Sequence, residues 1–338
     1  MLLRHCAVAV RQAVRERRMI VLGSGGPRFI ELLSAAHELR NLEKKDWDVA
    51  AGISAGALVA ALISQIPKND LDSFNHDFER AKCKFMKDAE ASPFRPHVPL
   101  GEFANALFCV LTGKESLFKG LSPFVKKEFD ERRFRSSGRQ LLVGIFDNET
   151  QSYRTVDGDA ETADTVRQAI VASASIPVAM PAVNVDGIGR CRDGGLVHTI
   201  PVDECLSFIH SNQREGVPCH VDLFISDSIE SPPPQQPVST VTSSLMDVTT
   251  SLVWLNLQRD LLDLSRVLGD THQEQQTALH LLRTGKKRNF RRPWGSIRIV
   301  APASLSSRRL PRTSFRALNR TLAETLVADG AKAARSSM

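Results

Sequence analysis

Two short apolar runs, each ended by a small-residue turn and followed at once by a helical pattern, constrain this chain more than any other feature. Met19 to Leu22 runs into Gly23-Ser24-Gly25-Gly26, and apolar residues then fall at Phe29, Leu32, Leu33, Ala36 and Leu39, the spacing of one helix face. Trp47 to Ala51 runs into Gly52-Ile53-Ser54-Ala55-Gly56, and Ala57 to Ile66 reads as a small-residue helix stopped by Pro67. Two strand–turn–helix units in succession indicate a parallel α/β sheet.

The remainder fits that frame. Residues 68–135 read as a helical insertion or cap, with amphipathic stretches at Leu71–Phe85 and Phe103–Leu111. Leu141–Phe146 and Tyr153–Val156 read as a strand pair around Asn148-Glu149-Thr150, and Thr162–Ala172 as a helix. Val183–Val185 and Ile188–Cys191 are short extended pieces, Val221–Ile225 a buried strand, and Ser231 to Pro237 a stiff Pro-rich linker or surface loop. A long helix over Leu245–Leu268, a last strand over Ile297–Val300 and a closing helix over Phe315–Ala334 complete the pattern. At 338 residues, with 42% hydrophobic and 24% charged residues, the chain can bury one large core, which excludes wholesale disorder. No run reaches the roughly 18 apolar residues of a membrane span. The six cysteines form neither a CxxC pair nor a His/Cys metal spacing and read as free thiols in a reducing compartment.

Charge is unevenly placed. The net +6 divides into about −6 over residues 1–282 and +12 over residues 283–338, with six bases between Arg283 and Arg292. Such an end suits an anionic partner, a phospholipid surface or a nucleic acid. The nucleic-acid reading has no motif behind it and only Phe290 and Trp294 as aromatic support, so no specific nucleic acid is expected. Residues 1–18 read as a basic surface helix, with a mitochondrial-type presequence or a membrane anchor as the competing reading; otherwise the cytoplasm and an anionic membrane surface are the expected places.

Three short segments carry chemistry. Gly52-Ile53-Ser54-Ala55-Gly56 is a G-x-S-x-G, which between a strand and a helix lifts a serine hydroxyl out of the sheet as a nucleophile. Gly23 to Arg28 fits neither a dinucleotide loop nor a Walker lysine; it suits an oxyanion hole of backbone N–H groups, Gly25 and Gly26, with Arg28 bracing the loop or attracting phosphate. Asp193-Gly194-Gly195 supplies an acid in a turn that can approach Ser54 closely. His198, five residues on, reads as a loop residue near the site rather than as the base. Ser175, before Ile176-Pro177, has no elbow and reads as structural, and Cys191 and Cys205 as small core residues.

With those residues in this order the chain resembles the patatin-like phospholipases. The match runs through Ala51 to Leu58, Ser175-Ile176-Pro177, Asp193 to Val197 and Pro201-Val202-Asp203, densely over residues 19–205. The resemblance implies a three-layer α/β/α fold with a mainly parallel central sheet and helical insertions. The catalytic core would be 19–205, and 206–338 would complete the same domain. It implies a Ser54–Asp193 dyad, an oxyanion hole at Gly25 and Gly26, and structural glycines Gly52, Gly56, Gly194 and Gly195. The substrate would be an acyl lipid or phospholipid, cleaved without cofactor or metal. Ser24, Pro27 and Phe29 depart from the family's glycine-rich stretch, Ile53 stands where Thr is common, and His198 where Asn is frequent. The altered stretch motivates a competing reading as a catalytically weak lipid-binding or scaffolding protein. Oligomeric state is not legible.

Overall fold

The computed structural model describes residues 16–87, 121–176, 180–226, 241–301 and 320–338. Among the described residues, nine strands form one sheet. β1 (Arg17–Leu22), β2 (Val49–Ile53), β3 (Gln140–Asp147), β7 (Cys219–Phe224) and β9 (Gly295–Val300) are parallel, in the order β3-β2-β1-β7-β9. Antiparallel strands extend it: β4 (Ser152–Asp157) and β6 (Gly189–Asp193) on β3, β5 (Val183–Val185) on β6, and β8 (Asn289–Arg292) on β9. The described helices are α1 (Phe29–Glu43), α2 (Ala55–Ser64), α3 (Leu71–Lys87), α4 (Leu121–Glu128), α5 (Glu131–Ser137), α6 (Ala163–Ser173), α7 (Val202–Glu215), α8 (Val241–Leu268), α9 (His272–Arg283) and α10 (Arg320–Ser336).

Side chains of a strand alternate between faces, so each central strand feeds two cores. Ile20, Leu22, Ala50, Val143, Phe224 and Val300 meet α1, α2, α6 and α10 on one side. Met19, Val21, Val49, Ala51, Val221, Leu223 and Ile299 meet α7, α8 and α9 on the other. The protein is therefore a three-layer α/β/α structure with a mainly parallel sheet. Burial on both faces also explains why β1 and β2 read as unbroken apolar runs. Residues 206–338 supply β7, β8 and β9 to the same sheet that 19–205 builds.

Several expectations shift. Most of the basic segment 1–18 lies outside the described residues, as do the Phe103–Leu111 stretch and the Ser231–Pro237 linker. Arg17 and Arg18 belong to β1, and Arg18 is buried because Asp222 (2.8 Å) and Glu43 (2.6 Å) neutralise it. β2 runs on to Ile53 instead of stopping at Ala51, while Trp47 sits before it with its indole N–H donated to Asp222 at 2.7 Å. Three elements were not foreseen: α7, α9 and the edge strand β8.

Candidate active site

The candidate site lies at the carboxyl ends of the parallel strands. The chain leaves β1 towards β2, and β7 lies on β1's other side. Such a reversal of strand order marks the strand ends where α/β sheets bind their ligands.

Ser54 sits between β2 and α2 at φ 57°, ψ −125°, a strained backbone for a residue with a side chain. The glycines around it follow from space. A Cβ on Gly52 would lie 2.3 Å from the Gly56 carbonyl oxygen, and one on Gly56 would lie 2.1 Å from the Leu22 carbonyl oxygen. The Ser54 N–H donates to Ser173 Oγ (2.9 Å), and that hydroxyl donates to the Gly144 carbonyl (2.6 Å). Ser173, at the end of α6, thus pins the elbow to β3.

Register brings the acid to the serine. β4 runs along one edge of β3, so β2 and β6 share the other. Ile53 pairs with Gly144 and Asp193 with Ile145, the next residue. The ends of β2 and β6 therefore meet head to head. Asp193 is buried, accepts the Gly195 N–H (2.8 Å) and receives a hydrogen bond from the Ser54 hydroxyl. Burial pushes its carboxyl up to about 7, against the pull of those two donors. A Cβ on Gly194 would lie 2.6 Å from the Gly144 carbonyl oxygen, so this glycine is what lets the turn press onto β3. Ser175 accepts the Asp193 N–H on its carbonyl (3.2 Å) and turns its hydroxyl to the Val171 carbonyl (2.7 Å).

The Gly23–Arg28 turn lies beside the aspartate turn. Its first two amides are engaged: Gly23 N–H by the Phe224 carbonyl (2.9 Å) and Ser24 N–H by that of Thr199 (2.8 Å). Arg28 N–H returns to the Gly25 carbonyl (3.0 Å), and Pro27 has no N–H. Gly25 and Gly26 are the amides between these engaged positions. Arg28 is turned inward, its guanidinium on the Ser226 carbonyl and 3.1 Å from Glu31. Bracing the loop is the role these contacts serve; a buried guanidinium is not presented to a substrate phosphate. Ser226 Oγ donates to the Ser24 carbonyl (2.6 Å), a second brace.

His198 is buried, with Nδ1 2.7 Å from Asp260 and Nε2 3.5 Å from Asp203, and its ring packs edge-on to Tyr153. Burial alone would lower its pKa; the two carboxylates outweigh that and raise it to about 9. The two carboxylates and the Tyr153 ring fix the imidazole in place beside the turn. The Cys191 thiol is pushed up to about 11 by burial, and Cys205 higher still. Among the described residues no cluster of His, Cys, Asp and Glu has a metal-binding arrangement, and no helix is long and apolar enough to cross a membrane.

The basic segment divides in two. Arg288 is half-buried on the Ala301 carbonyl, and Arg292 pairs with Asp270. Lys286 and Lys287 are exposed next to Arg288, whose carbonyl accepts the Ile299 N–H at the carboxyl end of β9. They therefore lie at the same end of the sheet as Ser54, whereas Arg291 and Arg292 face the amino end of β9.

Sequence reasoning missed Ser173, Ser226, Asn256 and Asp260. Only Asp260 left a trace, a charge on the apolar helix face of Leu257, Leu261 and Leu264.

Comparison with protein-family models matches residues 20–206 to the patatin-like phospholipases. The crystal structure of VipD from Legionella pneumophila aligns over 95% of this chain and 67% of its own, at 12% identity and a TM-score of 0.36. A comparison with curated proteins finds no match.

Proposed function

The chain belongs to the patatin-like phospholipases, a family of lipid hydrolases, and on that premise we propose that it cleaves lipid acyl esters with a Ser54–Asp193 dyad, as a phospholipase A or lysophospholipase. The observation that carries the reading is Ser54, on its strained strand-to-helix turn, set against the buried Asp193 carboxyl by the register of β2 and β6 on β3. Asp193 takes the Ser54 proton as Oγ attacks the ester carbonyl. The developing oxyanion is received by the Gly25 and Gly26 amides, each donor worth about 3 kcal/mol. Asp193 then gives its proton to the departing alcohol, leaving an acyl-serine. A water that loses its proton to Asp193 releases the fatty acid and restores Ser54.

The deciding experiment is incubation with a panel of phospholipids, lysophospholipids and neutral glycerides, with released fatty acids read by mass spectrometry. Fatty acid release that disappears in Ser54→Ala supports the reading; release by neither protein, with lipid binding retained, favours a lipid-binding protein instead. Lys286 and Lys287 support peripheral contact with an anionic membrane at the site's end of the sheet, each base contributing about 1 kcal/mol near the surface. Replacing both by Gln should weaken sedimentation with anionic vesicles at low salt and spare hydrolysis of a soluble ester. Unchanged sedimentation counts against that contact.

A further inference from the structure

Asp260 lies on α8, on the face that carries Leu257, Leu261 and Leu264 into the core. A carboxylate among leucines is costly unless the protein solvates it, so its partners say what it serves. Oδ2 accepts the N–H groups of Thr199 (2.7 Å) and Ile200 (3.0 Å), and Oδ1 meets His198 Nδ1 (2.7 Å). The same helix face adds Asn256, whose amide donates to the carbonyls of Gly195 (3.3 Å) and Leu196 (3.0 Å). All these bonds land on the segment that leaves the Asp193 turn. Thr199 carries the connection onward, because its own carbonyl accepts the Ser24 N–H at 2.8 Å. Ser24 is the residue before Gly25, so the carboxylate, one residue's peptide groups and the oxyanion turn stand in series.

We propose that Asp260 is a positioning residue: by holding Thr199 it sets the Gly25 and Gly26 amides and the Asp193 turn in register with Ser54. The inference rests on the Ser54–Asp193 hydrolase reading. Preorganised donors act only within hydrogen-bond distance of the charge that forms, and a misplacement of about 1 Å can cost 10²-fold in rate. An ion pair that only stabilised the fold would instead make activity follow stability.

The test compares Asp260→Ala, Asp260→Asn, Asn256→Leu and Leu264→Ala on a soluble short-chain ester, with rates per active site counted by fluorophosphonate labelling. Leu264→Ala loosens the same helix in the core without touching the clamp. Expected for Asp260→Ala is a fall in kcat of about 10–100-fold with KM within about twofold. Asp260→Asn keeps an acceptor for Thr199 and should recover most of that loss. Asn256→Leu, which removes the clamp's second arm without stranding a charge, should lose severalfold and stands in if Asp260→Ala does not fold. Equal kcat losses in Leu264→Ala and the clamp variants, or wild-type kcat in all clamp variants, would overturn the proposal. If the wild-type protein cleaves no ester, the hydrolase reading has failed, and hydrogen exchange of the Ser24–Gly26 amides decides the clamp on its own. Faster exchange there in the clamp variants than in Leu264→Ala supports it; equal exchange refutes it.

Discussion

Asp193 and Asp260 are buried carboxylates at the two ends of one short segment, and the protein treats them oppositely. Asp193 has one backbone N–H and the Ser54 hydroxyl, and burial wins, holding its carboxyl near 7. Asp260 has two backbone N–H groups and a paired imidazole. A carboxylate left short of donors is ready to take a proton; one fully supplied becomes a staple. Reactivity here is a matter of withheld solvation.

The largest consequence is on turnover. Ser54→Ala and Asp193→Asn should each lower kcat by at least about 10³-fold, and the double variant little further, because the two act as a unit. Folding is checked by circular dichroism. A rate retained in Asp193→Asn but lost in His198→Ala would reverse the roles assigned to the segment. Next comes pH. A base that must be ionised gives kcat/KM a tenfold fall per unit below its pKa, so the acid limb should bend near 7, far above an ordinary carboxyl near 4. An acid limb near 4 would mean that Asp193 is solvated like any surface aspartate.

The same contrast should invert in stability. Asp193→Asn removes a charge the fold burdens itself with and should raise stability at pH 8 by about 1–3 kcal/mol, a trade of stability for activity. Asp260→Asn removes a satisfied charge and should lower it by about 1–2 kcal/mol. Urea denaturation of the two variants reads both signs, and matching signs would erase the distinction.

How much of this was legible follows from sequence distance. The two strand–turn–helix units, Ser54 and the glycines around it are dictated within five residues: the crowding of Gly52 against Gly56 is local chemistry that a sequence displays. α9 and α7, though not foreseen, left local signals of the same kind: Thr271 and Glu274 form a capping box, and Cys205, Phe208 and Ile209 fall at helical spacing. The partners of Ser173, Ser226 and Asp260 were not legible, although the charge of Asp260 on an apolar helix face was visible. These three side chains act on residues 119, 202 and about 60 positions away, and a lone polar residue does not declare such a partner. Arg18 shows the same limit, since its burial depends on Asp222, 204 residues on.

The smallest effect lies at the alkaline end of the pH scale, and one titration separates Asp193 from His198. Asp193 has a raised folded pKa, so its contribution is fully present below the unfolded value near 4 and is lost as pH climbs through about 7. His198 is also raised, from about 6.5 to about 9, so the stability its pairing supplies is complete below 6.5 and lost as pH climbs through about 9. Four groups face that imidazole: Asp260 and Arg259 from α8, Asp203 from α7, and the Tyr153 ring from β4. Asp203 and Arg259 are largely exposed, so water screens their share and the alkaline loss should be only about 1 kcal/mol. Stability followed by urea denaturation from pH 5 to 10 should therefore fall in two successive windows. Asp193→Asn should flatten the lower one alone and His198→Gln the upper one alone. If either substitution flattened both, the two ends of the segment would titrate as one network, and the division between a reactive carboxylate and a stapled one would not hold.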